Sequence, residues 1–169
     1  MYFTDQGQTG LHDPTGRVYR YNLDSGKLDL LIDTVPSPNG LVLNPEETIL
    51  YVAVTRANAV WRLPIMQDGT VSKVGLFVQL QGSLGGPDGL AMDVDGNLTV
   101  CQAGMGSAWQ FSHLGEPRWR IRSCTGGLTT TNLAYGGADN RQLFITESDT
   151  GTILRADLDV AGQPMYSHL

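Results

Sequence analysis

At 169 residues, with 41% hydrophobic and 17% charged residues, the chain has the size and balance of one folded domain, and disorder is excluded. A formal net charge of -6 without a basic patch excludes nucleic acid as a partner, since that affinity needs clustered Lys and Arg to release counterions. No apolar run of membrane-spanning length and no basic-then-apolar leader occurs; the two cysteines, outside any zinc spacing, read as buried free thiols, and the expected compartment is the cytoplasm.

The chain opens inside a strand pattern at Tyr2 to Thr4, continues through the long polar loop Gln6 to Pro14, and gives strands at Gly16 to Asn22 and Lys27 to Ile32. These read as the later strands of a unit whose first strand is absent. A full unit follows, with strands at Asn39 to Leu43, Ile49 to Val54, Ala59 to Leu63 and Val74 to Leu80, separated by turn residues. The next has strands at Asp88 to Asp93, Leu98 to Gln102, Ala108 to Ser112 and Arg118 to Arg122, with Asp95-Gly96 as a hairpin signal. The last has Thr131 to Tyr135, Leu143 to Thr146, Thr152 to Leu158 and a weak strand near Met165 to His168.

One phrase recurs at the entrance of the units. Pro38-Asn39-Gly40-Leu41 and Pro87-Asp88-Gly89-Leu90 are near copies, and Thr131-Asn132-Leu133 is a looser third. The Asn39 to Asp88 spacing is 49 residues and the Asp88 to Asn132 spacing is 44. Four-stranded units at this period predict an all-β chain with the β-propeller architecture, the first strand of each blade lining a central channel. A β-sandwich is the alternative, but it gives no reason for the phrase to recur. The expected organisation is a single partial propeller over 1–169, with blade remnants 1–33 and blades 34–81, 82–125 and 126–169, about three and a half to four blades in all.

Strands alternate in direction, so Asn39, Asp88 and Asn132 should share a face with the loop after Asp5, the turn at Arg56 and the turn after Glu147. The loop Gln6 to Pro14, with His12, is the expected lid. Asn39 and Asp88 offer hard oxygen donors suited to Ca²⁺, Mg²⁺ or Mn²⁺, with Zn²⁺ also accommodated, but two donors are too few for a tight site. Asp93-Val94-Asp95-Gly96-Asn97 lacks the glycine placement and closing Glu of a calcium loop and reads as a hairpin. His12, His113 and His168 form no ligand pair, and Asn97-Leu98-Thr99 carries no meaning without a secretory leader.

Taken in order, Tyr2-Phe3-Thr4-Asp5, Pro38-Asn39-Gly40-Leu41, Ile49-Leu50-Tyr51-Val52, Gly86-Pro87-Asp88-Gly89-Leu90-Ala91, Asp95-Gly96-Asn97-Leu98 and Leu143-Phe144-Ile145-Thr146-Glu147 resemble the gluconolactonase, senescence marker protein and luciferin-regenerating enzyme family. The resemblance implies a six-bladed propeller with one divalent metal, calcium first, that hydrolyses a lactone or similar ester. It assigns the metal to Asn39 and Asp88 and makes Asp88 the general base. Asp5, Arg56, Asn132 and Glu147 are the expected substrate contacts on the same face. The family's first-blade Glu and its Arg and Asn pair have no counterpart here, which implies an N-terminal truncation of about two blades, while Gly162 to Leu169 resembles a family C-terminus. Two other outcomes stand beside a truncated lactonase: self-association of two copies into a ring, and an impaired propeller that serves as a binding or interaction module.

Overall fold

Alternating apolar residues and Gly-rich turns build four antiparallel sheets, which the computed structural model describes over residues 1–166. The first holds β1 (Tyr2–Asp5), β2 (Gly16–Tyr21) and β3 (Leu28–Val35). The second holds β4 (Pro38–Leu43), β5 (Ile49–Val54), β6 (Ala59–Pro64) and β7 (Gly75–Gln79), with a 3-10 turn at Thr55–Ala57. The third holds β8 (Gly86–Met92), β9 (Leu98–Ala103), β10 (Ser107–Phe111) and β11 (Pro117–Arg122). The fourth holds β12 (Thr130–Gly136), β13 (Gln142–Glu147) and β14 (Thr152–Asp157). Each sheet is a meander in which sequence neighbours pair, and the sheets are blades of a β-propeller.

The alternation of side chains fills the spaces between blades. Leu50, Val52 and Val54 of β5 pack toward Val18 and Val35 of the first sheet, while Tyr51 and Ala53 pack toward Leu90, Leu98 and Val100 of the third. A third interface joins Ala91, Cys101 and Ala108 to Leu133, Leu143, Ile145 and Leu154. β5 is therefore apolar throughout, and β9 is buried almost throughout while holding the polar Thr99 and Gln102, because both of their faces are covered. In β13 buried and exposed residues alternate, and Phe144 is exposed on the open side together with Ile153 of β14. On the first sheet Phe3 stacks on Tyr19 on the side away from Val18.

β4, β8 and β12 are the inner strands and lie side by side. β1 stands one place out, against β4 as β5 stands against β8, in accord with a first sheet that starts at its second strand. Two expectations are corrected. Met165 and Tyr166 belong to no strand, and His168 lies outside the described residues. After Asp157 the chain instead returns beneath β8: Gly162 bridges Asp93, Val94 N–H donates to the Ala161 carbonyl at 3.0 Å, and Gln163 N–H donates to the Met92 carbonyl at 2.9 Å. Gly162 and its neighbours find these partners because β8 ends with backbone groups that β9 does not use. Of the two free cysteines Cys101 is buried but Cys124 is exposed, since it follows the end of β11 in a turn that no sheet covers. Among the described residues no helix is long and apolar enough to cross a membrane.

Candidate active site at the mouth of the inner strands

The recurring phrase has a structural cause. In β4, Asn39 and Gly40 together oppose the single residue Ala53, since Pro38 pairs with Val54 and Leu41 with Val52. In β8, Asp88 and Gly89 together oppose Cys101, between the pairs Pro87 with Gln102 and Leu90 with Val100. Each phrase is thus a β-bulge, which bends the strand and re-aims a side chain at its entrance. The glycine of each phrase permits close approach to the next blade. A Cβ on Gly40 would lie 2.4 Å from the Asp88 carbonyl oxygen and 2.8 Å from Gly89 Cα. A Cβ on Gly89 would lie 2.9 Å from the Thr131 carbonyl oxygen and 2.7 Å from Asn132 Cα. The inner strands therefore meet backbone to backbone at their entrances.

The third copy is shifted by one residue from the expected alignment. Thr130 pairs with Glu147 and Asn132 with Thr146, so Thr131 and Asn132 form the bulge opposite Thr146. Thr131 occupies the place of Asn39 and Asp88, and Asn132 that of Gly40 and Gly89. The signal was the leucine, shared as Leu41, Leu90 and Leu133, rather than the Asn. Asn132 can carry a side chain where the others need glycine, because no further sheet packs against it among the described residues. Its Oδ1 accepts the Leu133 N–H at 2.9 Å, and Asn132 is exposed.

Asn39 and Asp88 are half-buried, and among the described residues neither side chain has a hydrogen-bond partner. Burial raises the Asp88 carboxyl above its ordinary value. Beneath it, burial first and the Asp88 charge second push the Cys101 thiol well above the usual thiol range, so Cys101 stays protonated. The entrances are pinned by hydroxyls: Thr4 Oγ1 donates to the Asn39 carbonyl at 2.9 Å and Thr55 Oγ1 to the Pro87 carbonyl at 2.8 Å.

Comparison with known proteins places this arrangement. The profile of the SMP-30/Gluconolactonase/LRE-like region matches residues 1–149. The chain belongs to this family. Lactonase drp35 of Staphylococcus aureus is 32% identical over 124 residues, which is 72% of this chain and 38% of that relative. The chain thus spans well under half the length of the curated relatives it matches. Among solved structures, a gluconolactonase of Xanthomonas campestris superposes with a TM-score of 0.70 at 25% identity, covering 86% of this chain and 50% of the other. A calcium-binding protein, regucalcin of Agrobacterium tumefaciens, gives 0.74 at 23% identity, covering 91% and 55%.

Within this SMP-30/gluconolactonase fold the remaining expected residues stand on elements that flank the inner entrances. Arg56 is exposed in the 3-10 turn, its N–H donating to the Pro36 carbonyl at 3.3 Å. The loop after β1 reaches this rim, since a Cβ on Gly10 would lie 3.8 Å from His12 Nδ1 and 3.9 Å from Arg56 Cγ. Asp5 is exposed, accepts the Gly7 N–H at 3.1 Å and lies 3.8 Å from Arg17 on the open side of the first sheet. Glu147 is 1% exposed and serves its own turn. Its carboxylate accepts the Thr150 hydroxyl, the Thr150 N–H at 3.0 Å and the Asp149 N–H at 2.9 Å. The Thr150 hydroxyl and then these backbone donors hold its pKa below the ordinary value.

Proposed function

We propose that the protein represented by this chain, a partial propeller over 1–169, hydrolyses a lactone or similar ester at the mouth of its inner strands. The observation that supports the reading is Asp88, a half-buried carboxylate with no protein partner among the described residues, set beside Asn39 by the Gly40 contact in a chain of the SMP-30/gluconolactonase family. In this reading Asp88 takes a proton from water as the water oxygen bonds to the lactone carbonyl carbon. The ring C–O bond then breaks, and the departing oxygen recovers the proton from Asp88 to give the hydroxy acid. In the metal-free chain burial raises the proton affinity of Asp88, and a cation held there would oppose that rise. Asn39 orients the substrate or its water through the amide.

The donor set also fits a divalent cation. It is all hard oxygen, its carboxylate lacks a positive partner among the described residues, and Asn39 brings a neutral oxygen. Asn39 and Asp88 would hold it, with Ca²⁺ favoured over Zn²⁺, Mg²⁺ or Mn²⁺, and it would supply Lewis-acid polarisation of the carbonyl. Hydrolysis of a sugar-acid lactone, with and without added calcium, tests the reading in the wild type and in Asp88→Ala. Activity lost only in the variant supports it; equal rates in both proteins overturn it, and cation binding without hydrolysis favours the module reading.

A further inference from the structure

Below their bulges the inner strands continue as apolar walls. Leu41 of β4, Leu90 and Met92 of β8 and Leu133 of β12 line a cavity of about 210 Å³, which Gln163 and Met165 of the returning segment complete. The backbone that carries Gln163 is fixed on two sides. Its own N–H donates to the Met92 carbonyl at 2.9 Å, while Gly162 N–H donates to the Asn140 carbonyl at 2.8 Å and the Gly162 carbonyl accepts the Asn140 side-chain amide at 2.6 Å. Gly162 also lies flat on the fourth sheet, since a Cβ there would fall 2.2 Å from Tyr135 Cβ. Gln163 Oε1 is buried, and it is the one buried side-chain oxygen or nitrogen without a hydrogen-bond partner among the described residues. Elsewhere such groups are met: the buried Asp93 carboxylate accepts the Asn97 and Gln110 amides, and Gln102 Oε1 accepts the Trp109 indole N–H. An unmet buried acceptor is costly, so one that persists calls for a donor from outside the chain.

The surroundings define that donor. A lone water needs about two to four polar partners, whereas the side chains beside Oε1 are apolar apart from Tyr135, whose hydroxyl is turned to Thr99 at 3.5 Å. A cation would find one neutral oxygen and an anion would find no positive charge. What fits is a neutral molecule with an apolar body and one hydroxyl. An apolar cavity of about 150 Å³ takes benzene, so this one has room for a six-membered ring and its substituent. We propose that the cavity is a binding site for a small neutral alcohol with such a ring, aromatic or alicyclic, whose hydroxyl donates to Gln163 Oε1. It shares no lining residue with the Asn39 and Asp88 pair, and it stands whether or not the mouth hydrolyses lactones. The bound molecule touches all three inner strands and the returning segment at once, and so braces them.

The test is a titration of the 169-residue chain with phenol and with toluene, its isostere without a donor, followed by backbone and side-chain amide resonances. Phenol should shift the Gln163 side-chain amide and the Leu90 and Leu133 amides to saturation, and toluene should bind about tenfold more weakly, the scale of one hydrogen bond. In Gln163→Leu, with its fold checked by circular dichroism, the two should bind within about twofold of each other, because the acceptor is gone and the apolar walls remain. Saturating phenol should also raise the melting temperature of the wild type, as a ligand of the folded state does. Equal affinity for phenol and toluene in the wild type overturns the proposal, since the site would then be only an apolar void. It is overturned equally if phenol gives no saturable shift at these residues, or if Gln163→Leu keeps the wild-type preference.

Discussion

Replacing Gly40 by alanine should force the first two inner strands apart. The new methyl would sit 2.4 Å from the Asp88 carbonyl oxygen, 2.8 Å from Gly89 Cα and 3.0 Å from the Leu90 nitrogen. All three are backbone atoms, so no side chain can rotate out of the way, and ordinary contact requires the strands to separate by about 1 Å. Overpacking typically costs about 1–3 kcal/mol, and an immovable backbone on the far side places Gly40→Ala near the top of that range. For a domain of this size the melting temperature should fall by about 6–12 °C. Gly75→Ala in β7 is the control, because its Cβ would meet only the Lys73 carbonyl oxygen, at 3.8 Å, and it should be neutral or stabilising by less than about 1 kcal/mol. Thermal unfolding followed by near-ultraviolet circular dichroism separates the two. Equal melting temperatures would show that the inner strands do not meet through their backbones and would remove the argument that brings Asn39 to Asp88.

Asp88→Asn should stabilise the metal-free chain at neutral pH by about 1 kcal/mol, as removal of a desolvated functional charge commonly does, while removing hydrolysis. Because burial raises the folded pKa of Asp88, its ionisation disfavours the fold. Its contribution therefore declines as pH rises from the unfolded value of 3.8 through the folded one, and a pH series of urea melts on wild type and Asp88→Asn should diverge in that window. Glu147 has the opposite sign: its pKa is lowered in the fold, so its stabilisation is present above the ordinary 4.5 and lost as pH falls through the folded value. Glu147→Gln should lower the melting temperature at pH 7 and flatten its acid dependence, measured in the same series. A thiol reagent should modify Cys124 in the native chain and reach Cys101 only on unfolding; native modification of both would contradict the packing beneath Asp88.

The strands and the mouth were legible because each depends on a local device. Asp95-Gly96 forms its hairpin, with the buried Asp93 carboxylate accepting the Asp95 and Asn97 N–H groups at 3.0 and 2.8 Å. Pro-Asn-Gly and Pro-Asp-Gly mark the strand entrances because their glycine is required by a neighbour, although the bulges themselves are seen only in the pairing. The third copy was misaligned because its bulge needs no glycine, which leaves Asn132 as a misleading match and Thr131 unmarked. Glu147 reads as a substrate contact until Gly127 is seen to make room for its buried carboxylate: a Cβ there would fall 2.1 Å from Glu147 Oε2. Both facts depend on which sheet lies next door, which is a property of the assembled blades and not of any short window of sequence.

The return of residues 161–163 beneath β8 bears on the order in which the chain can assemble during synthesis. Sheets two and three are built from hairpins and can form as they emerge, each on contacts between close neighbours in the chain. The Val94 amide and the Met92 carbonyl are different: their partners, the Ala161 carbonyl and the Gln163 amide, are made only after the whole fourth sheet has been synthesised. Until then the lower end of β8 carries unsatisfied backbone groups at the centre of the molecule, open to pairing with another nascent chain. The crossing segment works as a stitch drawn last, and it is at that edge, rather than at the mouth, that misassembly between growing chains would begin.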